Sequence, residues 1–465
     1  MAFGKIHTDK APAIGVPLAF WGTGWVGGLA WALWLFLHPR PIWMALWQSP
    51  SFLVAVHLFT LGWITPMMLG SLYQWIPVVT NRPWPRARLA VWIYAGYLLG
   101  AGAFLAGLSQ ETWRVAAAGG FLVAGSVLAF VTLAASTLVR RPLTVPLAFV
   151  ASSLACLTLT VLMGCLMALA LAGEGGLLQV LPWHMLLGLG GWFSLTLMGV
   201  SYKLLPMLAV TRRDPRWGWW SWALTLGFLF GLMGVASAVP LPTWVRWWGA
   251  LALPWTVYAV DLYATVRSRR SHQPDVVVLG MAGSLLAGVA APLLLAAGRG
   301  FLAATLFALG WLGLASLSYF QKILPFALWQ YQFSRHKGSS VQVPHVAEIL
   351  PPLWSRGVLG TYIVGGVAAV IGRLVDQEPL WRAGIGVVGL GLALAIVTLV
   401  AGFWRSQPHR AQGQSWGRLW GARSSAPSSD DTVWAGPPQS ADPAPGGREK
   451  GDGANAAVGI RLRLW

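Results

Sequence analysis

The sequence predicts an all-α membrane protein, with twelve transmembrane helices in three pseudo-symmetric four-helix units, and three observations carry that prediction. Of 465 residues, 56% are hydrophobic and only 10% charged, whereas an ordinary soluble globule is about a quarter charged. Apolar runs of about 20 residues, each long enough to cross roughly 30 Å of hydrocarbon as a helix, recur with polar gaps along most of the chain. A Gly-Trp pair followed at fixed distance by a proline occurs three times.

The runs are bounded by Pro, Gly and Arg and are taken in order. The first, 17–37, follows a polar segment, 1–16, holding Lys5 and Lys10. It is longer than a signal-peptide core and lacks a clear small-residue cleavage site, so it is expected to be retained. The second, 51–78, carries the first Gly-Trp…Pro register; 89–108 and 113–138 follow. The fifth, 145–172, contains both cysteines, Cys156 and Cys165. Nine residues apart on a helix, they face opposite ways about two and a half turns apart, which offers neither a disulfide nor a CxxC metal site. The sixth, 183–209, carries the second register. The runs 217–239 and 242–266 bring Trp217, Trp219, Trp220, Trp247 and Trp248 near span ends, as an interfacial belt does. After 275–297, the run 301–328 carries the third register, and 354–374 and 380–404 complete the twelve. The membrane domain is therefore 17–404. From 405 to 465 the composition shifts to Ser, Gly, Pro and Ala, as at Ser424-Ser425-Ala426-Pro427. Such a segment buries too little apolar surface to offset its ordering entropy and reads as a disordered cytoplasmic tail.

The formal charge of +18 arises from 32 basic and 14 acidic residues. Five of the acids (Asp430, Asp431, Asp442, Glu449 and Asp452) fall in the tail, and the basic residues lie between apolar runs. That is the pattern of membrane topology, with no nucleic-acid surface. One side collects Lys5, Lys10, Arg82, Arg86, Arg88, Arg140, Arg141, Arg212, Arg213, Arg216, Arg267, Arg269, Arg270, Arg335, Lys337 and Arg356. The other has Arg40, Arg114, Arg246, Arg299, Arg373 and Arg382. Positive charge resists export, so both termini are expected in the cytoplasm.

The internal repeat is explicit in residues. Gly62-Trp63 is followed by Gly70, Tyr73 and Pro77; Gly191-Trp192 by Gly199, Tyr202 and Pro206; Gly310-Trp311 by Ser318, Gln321 and Pro325. The Trp-to-Pro spacing is 14 each time, and the tryptophans lie 129 and 119 residues apart, four helices each. Twelve helices in three such groups resemble the haem-copper oxidase subunit I superfamily. The run Pro66-Met67-Met68-Leu69-Gly70-Ser71-Leu72-Tyr73-Gln74-Trp75-Ile76-Pro77 is similar to that family's second helix. Its Gly-x-x-Tyr-x-x-x-Pro portion also resembles the nitric-oxide-reductase branch. The resemblance implies an integral protein of the bacterial plasma membrane, with respiratory-chain subunits or an electron donor as partners. Members that reduce oxygen or nitric oxide carry helix-6, helix-7 and helix-10 histidines for haem and copper. Here the seventh and tenth runs contain no histidine. The resemblance therefore implies the scaffold and not the reductase.

Only two of eight histidines lie inside apolar runs, His57 and His184, and an ionisable group at membrane depth marks a functional site by default. By helix, the resemblance places His57 at the low-spin haem ligand and His184 at the copper ligand. His57 precedes Trp63 by six residues and His184 precedes Trp192 by eight, and on α-helices two residues amount to about 200° of rotation. The corresponding places in the tenth run, Thr305 and Ala303, offer no ligand. Neutral imidazoles bind haem iron axially. The alternative is a hydrogen-bonded interfacial His184, beside Pro182 and Trp183, and a packed, satisfied His57. Met67 and Met68 are either soft copper ligands or core filling. Tyr73-Gln74, Tyr202-Lys203 and Gln321-Lys322 occupy equivalent places near the inner ends of the central helices. Lys203 and Lys322 either attract anions and relay protons or snorkel to headgroups. Asp261 is the one carboxylate expected inside a span, with Arg267 as its partner. His336, Lys337 and His345 on the loop 329–353 read as a solvated loop or a cytoplasmic metal or partner site.

Two functions remain open. One is a non-catalytic or accessory relative of subunit I that binds haem and handles electrons, or supports haem-copper or nitric oxide metabolism, as NnrS-type proteins do. The other is a haem-free carrier or assembly factor for a small solute or metal.

Overall fold

The computed structural model describes residues 14–139, 141–235, 238–270, 275–333 and 345–406. The chain divides into two compact units, Met1–Gln407 and Pro408–Trp465, and every described residue belongs to the first. The expectations for Lys5, Lys10, Arg140, Arg335, His336, Lys337 and the tail from 407 onward lie outside the described residues.

Long helical elements follow one another without a named strand among the described residues. They are α1 Gly15–Leu37, α2 Pro50–Thr80, α3 Leu89–Ser109, α4 Trp113–Leu138, α5 Val145–Leu171 and α6 Leu178–Leu208. After these come α7 Gly218–Val235, α8 over 241–267, α9 Val276–Ala296, α10 Gly300–Phe333, α11 Pro352–Leu374 and α12 Glu378–Arg405. Eleven of these are long and apolar enough to cross a membrane, and the chain is an integral membrane protein. The remaining element, α8, is helical over its whole range and about 40 Å long at 1.5 Å per residue. It is less apolar because it carries Arg246, Asp261, Arg267 and four tryptophans. Outward side chains such as Trp92, Leu286, Phe230 and Val400 are exposed and apolar, as contact with lipid tails requires.

Packing partners recur. Helix α1 packs on α2, α5 on α6, and α9 on α10; α4 packs on α5, α8 on α9, and α12 on α1. The hairpins α3–α4, α7–α8 and α11–α12 each pack within themselves. Between α1–α2 and α5–α6 the agreement extends to atoms. A Cβ at Gly70 would lie 3.0 Å from the Pro17 carbonyl oxygen, and one at Gly199 would lie 3.0 Å from that of Pro146. Tyr73 sits 5.6 Å from Phe20, ring centroid to centroid, and Tyr202 sits 5.5 Å from Phe149.

A second correspondence links α3–α4 with α11–α12. Gly100 approaches the Val123 amide and the Gly119 carbonyl so closely that a Cβ would lie 2.7 and 2.9 Å away. Gly365 faces Val388 and Gly384 in the same way, at 2.5 and 2.7 Å. Gly119 and Gly384 return the contact onto the backbone of Phe104 and Ala369. Small residues let helix backbones meet where lipid supplies no hydrophobic drive for helix association. Trp63 to Gly100 is 37 residues and Trp311 to Gly365 is 54; of the 17 extra, ten fall in the connection between α10 and α11 (334–351 against 81–88) and the rest lengthen the two helices.

Candidate functional site

The sequence predicts α-helix throughout α2, α6 and α10, but each contains a π-helical stretch: Leu58–Ile64, Leu186–Leu195 and Leu306–Gly313. Each stretch encloses its repeat's Gly-Trp pair. The π winding shifts the backbone bond to i→i+5, as in Thr65 N–H to Thr60 O and Leu314 N–H to Leu309 O. Side chains from elsewhere also bond the carbonyls in these stretches. The Tyr97 hydroxyl of α3 donates to Leu61 O at 2.6 Å, and the Tyr362 hydroxyl of α11 donates to Leu309 O at 3.0 Å. Ser194 Oγ bonds Leu189 O at 2.8 Å within α6. π stretches in membrane and soluble helices alike concentrate at functional sites.

The three tryptophans tie the central helices together. Trp192 Nε1–H donates to Thr65 Oγ1 and Trp311 Nε1–H to Ser194 Oγ, both at 3.3 Å. Thr65 and Ser194 each stand two residues after their repeat's tryptophan. The corresponding place after Trp311 is Gly313, which has no hydroxyl, and Trp63 Nε1 has no hydrogen-bond partner among the described residues. The Tyr362 hydroxyl occupies the space a Cβ at Gly313 would need.

Both histidines stand just before a π stretch and are half-buried. His57 Nδ1 bonds the Leu53 carbonyl at 2.8 Å, and His184 Nδ1 bonds the Thr160 carbonyl of α5 at 2.9 Å. A carbonyl only accepts, so each Nδ1 carries the proton and each Nε2 keeps its lone pair in the neutral ring. A metal-ligating imidazole is held in this tautomer by the same kind of outer bond. The His57 ring lies edge-on to Phe104, 4.9 Å between centroids. His184 packs against Gly164, where a Cβ would stand 3.2 Å from its Cε1. The two imidazoles lie within electrostatic range of each other. The rotation of about 200° expected from their unequal offsets assumes α winding, whereas the π stretches wind less per residue. At the equivalent place in α10, Thr305 bonds its own Phe301 carbonyl at 3.0 Å. Among the described residues, no group of three or more His, Cys, Asp or Glu converges as a metal site.

At the opposite, basic end, α2, α6 and α10 line a half-open cavity of about 90 Å3 that includes Gln74, Val78, Lys203, Leu204, Lys322 and Phe326. A second half-open cavity of about 60 Å3, nearer the middle of the same helices, lies beside Met67, Met68, Thr196 and Phe320. The two share Ser71, Val200 and Ile323. Lys322 Nζ is paired to Asp275 Oδ2 at 2.7 Å, and Asp275 also caps α9 by accepting from the Val277 and Val278 amides. Lys203 is half-buried, with the exposed Asp214 in electrostatic range. Sequence reasoning placed Gln74, Lys203 and Lys322 at equivalent positions, and the structure brings them to one cavity.

Tyr73 and Tyr202 do not line that cavity. One residue earlier on each helix, they turn into aromatic clusters, Tyr73 with Phe20, Trp84 and Phe130 and Tyr202 with Phe149 and Tyr258. Asp261 is buried, but its partner differs from expectation. Its two oxygens accept the Arg216 and Trp217 backbone amides at 2.8 and 2.9 Å, while the Arg267 guanidinium lies 6.0 Å from the Tyr263 ring centre. His345 opens the short helix Val346–Ile349, its amide donating to Glu348 at 3.3 Å. Cys156 and Cys165 are free and buried. Sequence reasoning missed Tyr97, Tyr362, Thr65 and Ser194; the one signal for the last two was a hydroxyl two residues after a repeated tryptophan. No protein-family model matches the chain, and no curated protein matches it either.

Proposed function

We propose that this protein is a twelve-span relative of the haem-copper oxidase subunit I scaffold that holds one haem between α2 and α6 and handles electrons without reducing oxygen or nitric oxide itself. In this reading both termini face the cytoplasm of a bacterial plasma membrane, and α8 is the twelfth span. The four-helix recurrence of packing partners and the three π-helical Gly-Trp stretches support three related units. The absence of histidine from α7 and α10 is what sets the protein apart from the reductases.

One observation carries the haem assignment: two imidazoles within electrostatic range of each other, each with Nδ1 fixed on a backbone carbonyl and the Nε2 lone pair left for a ligand. The donor set suits haem better than copper or zinc. A porphyrin brings four nitrogens of its own and asks the protein for one or two axial ligands, whereas a bare ion needs three or four protein groups. Gly164, which leaves room beside His184, is consistent with a ring that must not be crowded. His57 and His184 would hold the iron, and the haem would supply a one-electron redox centre in an apolar setting. Protein purified after haem-replete expression should show a Soret band that sharpens on dithionite reduction and is lost or shifted in His57→Ala and His184→Ala. A colourless preparation in which neither substitution alters stability would turn the assignment to the haem-free carrier, for which the cavity holding Lys203 and Lys322 is the favouring observation.

A further inference from the structure

At the basic end the loops after α2 and α4 meet, and 129 residues on, the loops after α6 and α8 meet in the same way. In the first junction, arginine side chains close the contact: the Arg141 guanidinium donates to Asn81 O and the Arg82 guanidinium to Val139 O, both at 3.5 Å. Asn81, Val139 and Arg141 correspond to Val210, Ser268 and Arg270 in the second junction. There the same carbonyls are taken by main chain. Arg270 N–H donates to Val210 O and Arg212 N–H to Ser268 O, both at 3.0 Å, and Arg213 N–H donates to Ser268 Oγ at 3.1 Å. Thr211 and Arg269 complete an antiparallel bridge. Val210 is held at φ 51°, a left-handed conformation that a β-branched residue keeps only where its surroundings fix it. The second junction is therefore rigid without using guanidiniums. Arg212, Arg213, Arg216, Arg267 and Arg270 are exposed, and among the described residues none of the five makes an ion pair. The nearby acids are engaged elsewhere. Asp275 is paired to Lys322, Asp261 accepts the Arg216 and Trp217 amides, and Asp214 lies in electrostatic range of Lys203. Trp217, Trp220 and Tyr263 stand exposed beside the arginines.

We propose that the joined loops after α6 and α8 bind the headgroup of one anionic phospholipid, its phosphate on arginines contributed by both loops and its acyl chains against Trp217 and Trp220. Like charges held together repel unless an anion offsets them. A guanidinium fork matches two phosphate oxygens at once and sheds its hydration more readily than an ammonium does. Arginine clusters next to membrane spans attract anionic lipid in this way. The exposed aromatic rings select a lipid over a soluble anion, because tryptophan and tyrosine settle at the level of the headgroups. The junction after α2 and α4 is not an equal site, since Arg82 and Arg141 are spent on its own carbonyls. The lipid site lies at the other end of α6 from His184 and does not depend on haem.

The test is native mass spectrometry of the full chain, delipidated in detergent and titrated with phosphatidylglycerol or with phosphatidylcholine of the same acyl chains. One phosphatidylglycerol is expected to bind about tenfold or more tightly than phosphatidylcholine, as charge-assisted hydrogen bonds to an unoffset phosphate imply. The double variant Arg212→Gln/Arg270→Gln should abolish that preference. Arg213→Gln/Arg267→Gln, a second pair on the same two loops should the first not fold, should weaken it about fivefold or more. Arg86→Gln/Arg88→Gln, which removes two exposed arginines from the connection between α2 and α3, should leave it unchanged. Trp220→Ala should weaken both lipids by the same factor, and millimolar inorganic phosphate should displace neither. An equal loss in Arg86→Gln/Arg88→Gln would mean that loop charge in general attracts the lipid. Displacement by inorganic phosphate would mean that the loops serve a soluble anion. Either result, or a preference that survives in the variants of the joined loops, would overturn the proposal.

Discussion

The hairpins α3–α4 and α11–α12 are held by backbone contact, whereas α7–α8 between them is held by polar anchors. In the outer pair, Gly100 with Gly119 and Gly365 with Gly384 bring the two helices of each hairpin into direct main-chain apposition. In α7, Gly227, Gly231 and Gly234 face open space. That helix is instead fixed at one end by the Asp261 carboxylate on the Arg216 and Trp217 amides. At its other end, Trp183 and Trp244 indoles donate to the Met233 and Leu232 carbonyls at 3.0 and 2.9 Å. Related positions in one chain are thus held by two kinds of interaction, and the α7–α8 hairpin is the less closely apposed of the three. A small-residue seam forms only where both helices supply it, and where one is missing, a buried charge on backbone amides takes over.

The largest effect expected from this contrast is at the seams. Gly119→Leu or Gly384→Leu forces a side chain into main-chain atoms and should cost about 3 kcal/mol or more, at the upper end of overpacking, seen as loss of monodisperse protein after solubilisation. Gly231→Leu in α7 should be tolerated within about 0.5 kcal/mol. Equal damage at Gly231 would break the comparison.

The anchor comes next. In Asp261→Asn one carboxylate oxygen becomes an NH2 that faces a backbone N–H, so about 2 kcal/mol of destabilisation is expected. Hydrogen exchange should localise the loss to the Arg216 and Trp217 amides and the first turn of α7; protection unchanged there would show that the carboxylate does not hold the helix.

Smaller effects sharpen the correspondence of α3 with α11. Tyr97→Phe and Tyr362→Phe should each cost roughly 1 kcal/mol, the range of polar interactions inside membrane proteins, because a π-stretch carbonyl loses its donor. The two values should agree with each other. Smallest of all, Trp192→Phe should lower the unfolding midpoint more than Trp63→Phe, since only the first indole has a partner to lose. The opposite order would mean that Trp63 donates to a group not seen among the described residues.

The spans were legible because crossing a bilayer needs about 20 apolar residues in a row, a property each run carries within itself. The run 242–266 was legible as a helix, but its tryptophans and Asp261 dilute its hydropathy and it is not among the eleven elements apolar enough to span. The π stretches were illegible, because the winding of residues near Leu61 is completed by Tyr97, 36 positions away, and that near Leu309 by Tyr362, 53 away. His57 and His184 were legible as costly ionisable groups. What the sequence did not show was the carbonyl that fixes each Nδ1, Leu53 on the same helix for His57 and Thr160 of α5 for His184. The cavity at the basic end was half legible: the repeat aligned Gln74, Lys203 and Lys322, but it gave no sign that Asp275 would claim one lysine and leave the other.

The π stretches also act as slack in the winding. On α2 and on α6 a histidine lies before the stretch and a cavity-lining residue, Gln74 or Lys203, lies after it. A stretch bonded i→i+5 takes up one residue more than α pitch does over about the same rotation. Deleting one residue from 58–64 would therefore let the stretch tighten to α pitch while Met67, Ser71 and Gln74 kept facing the cavity, so the two ends of the bundle would stay in phase.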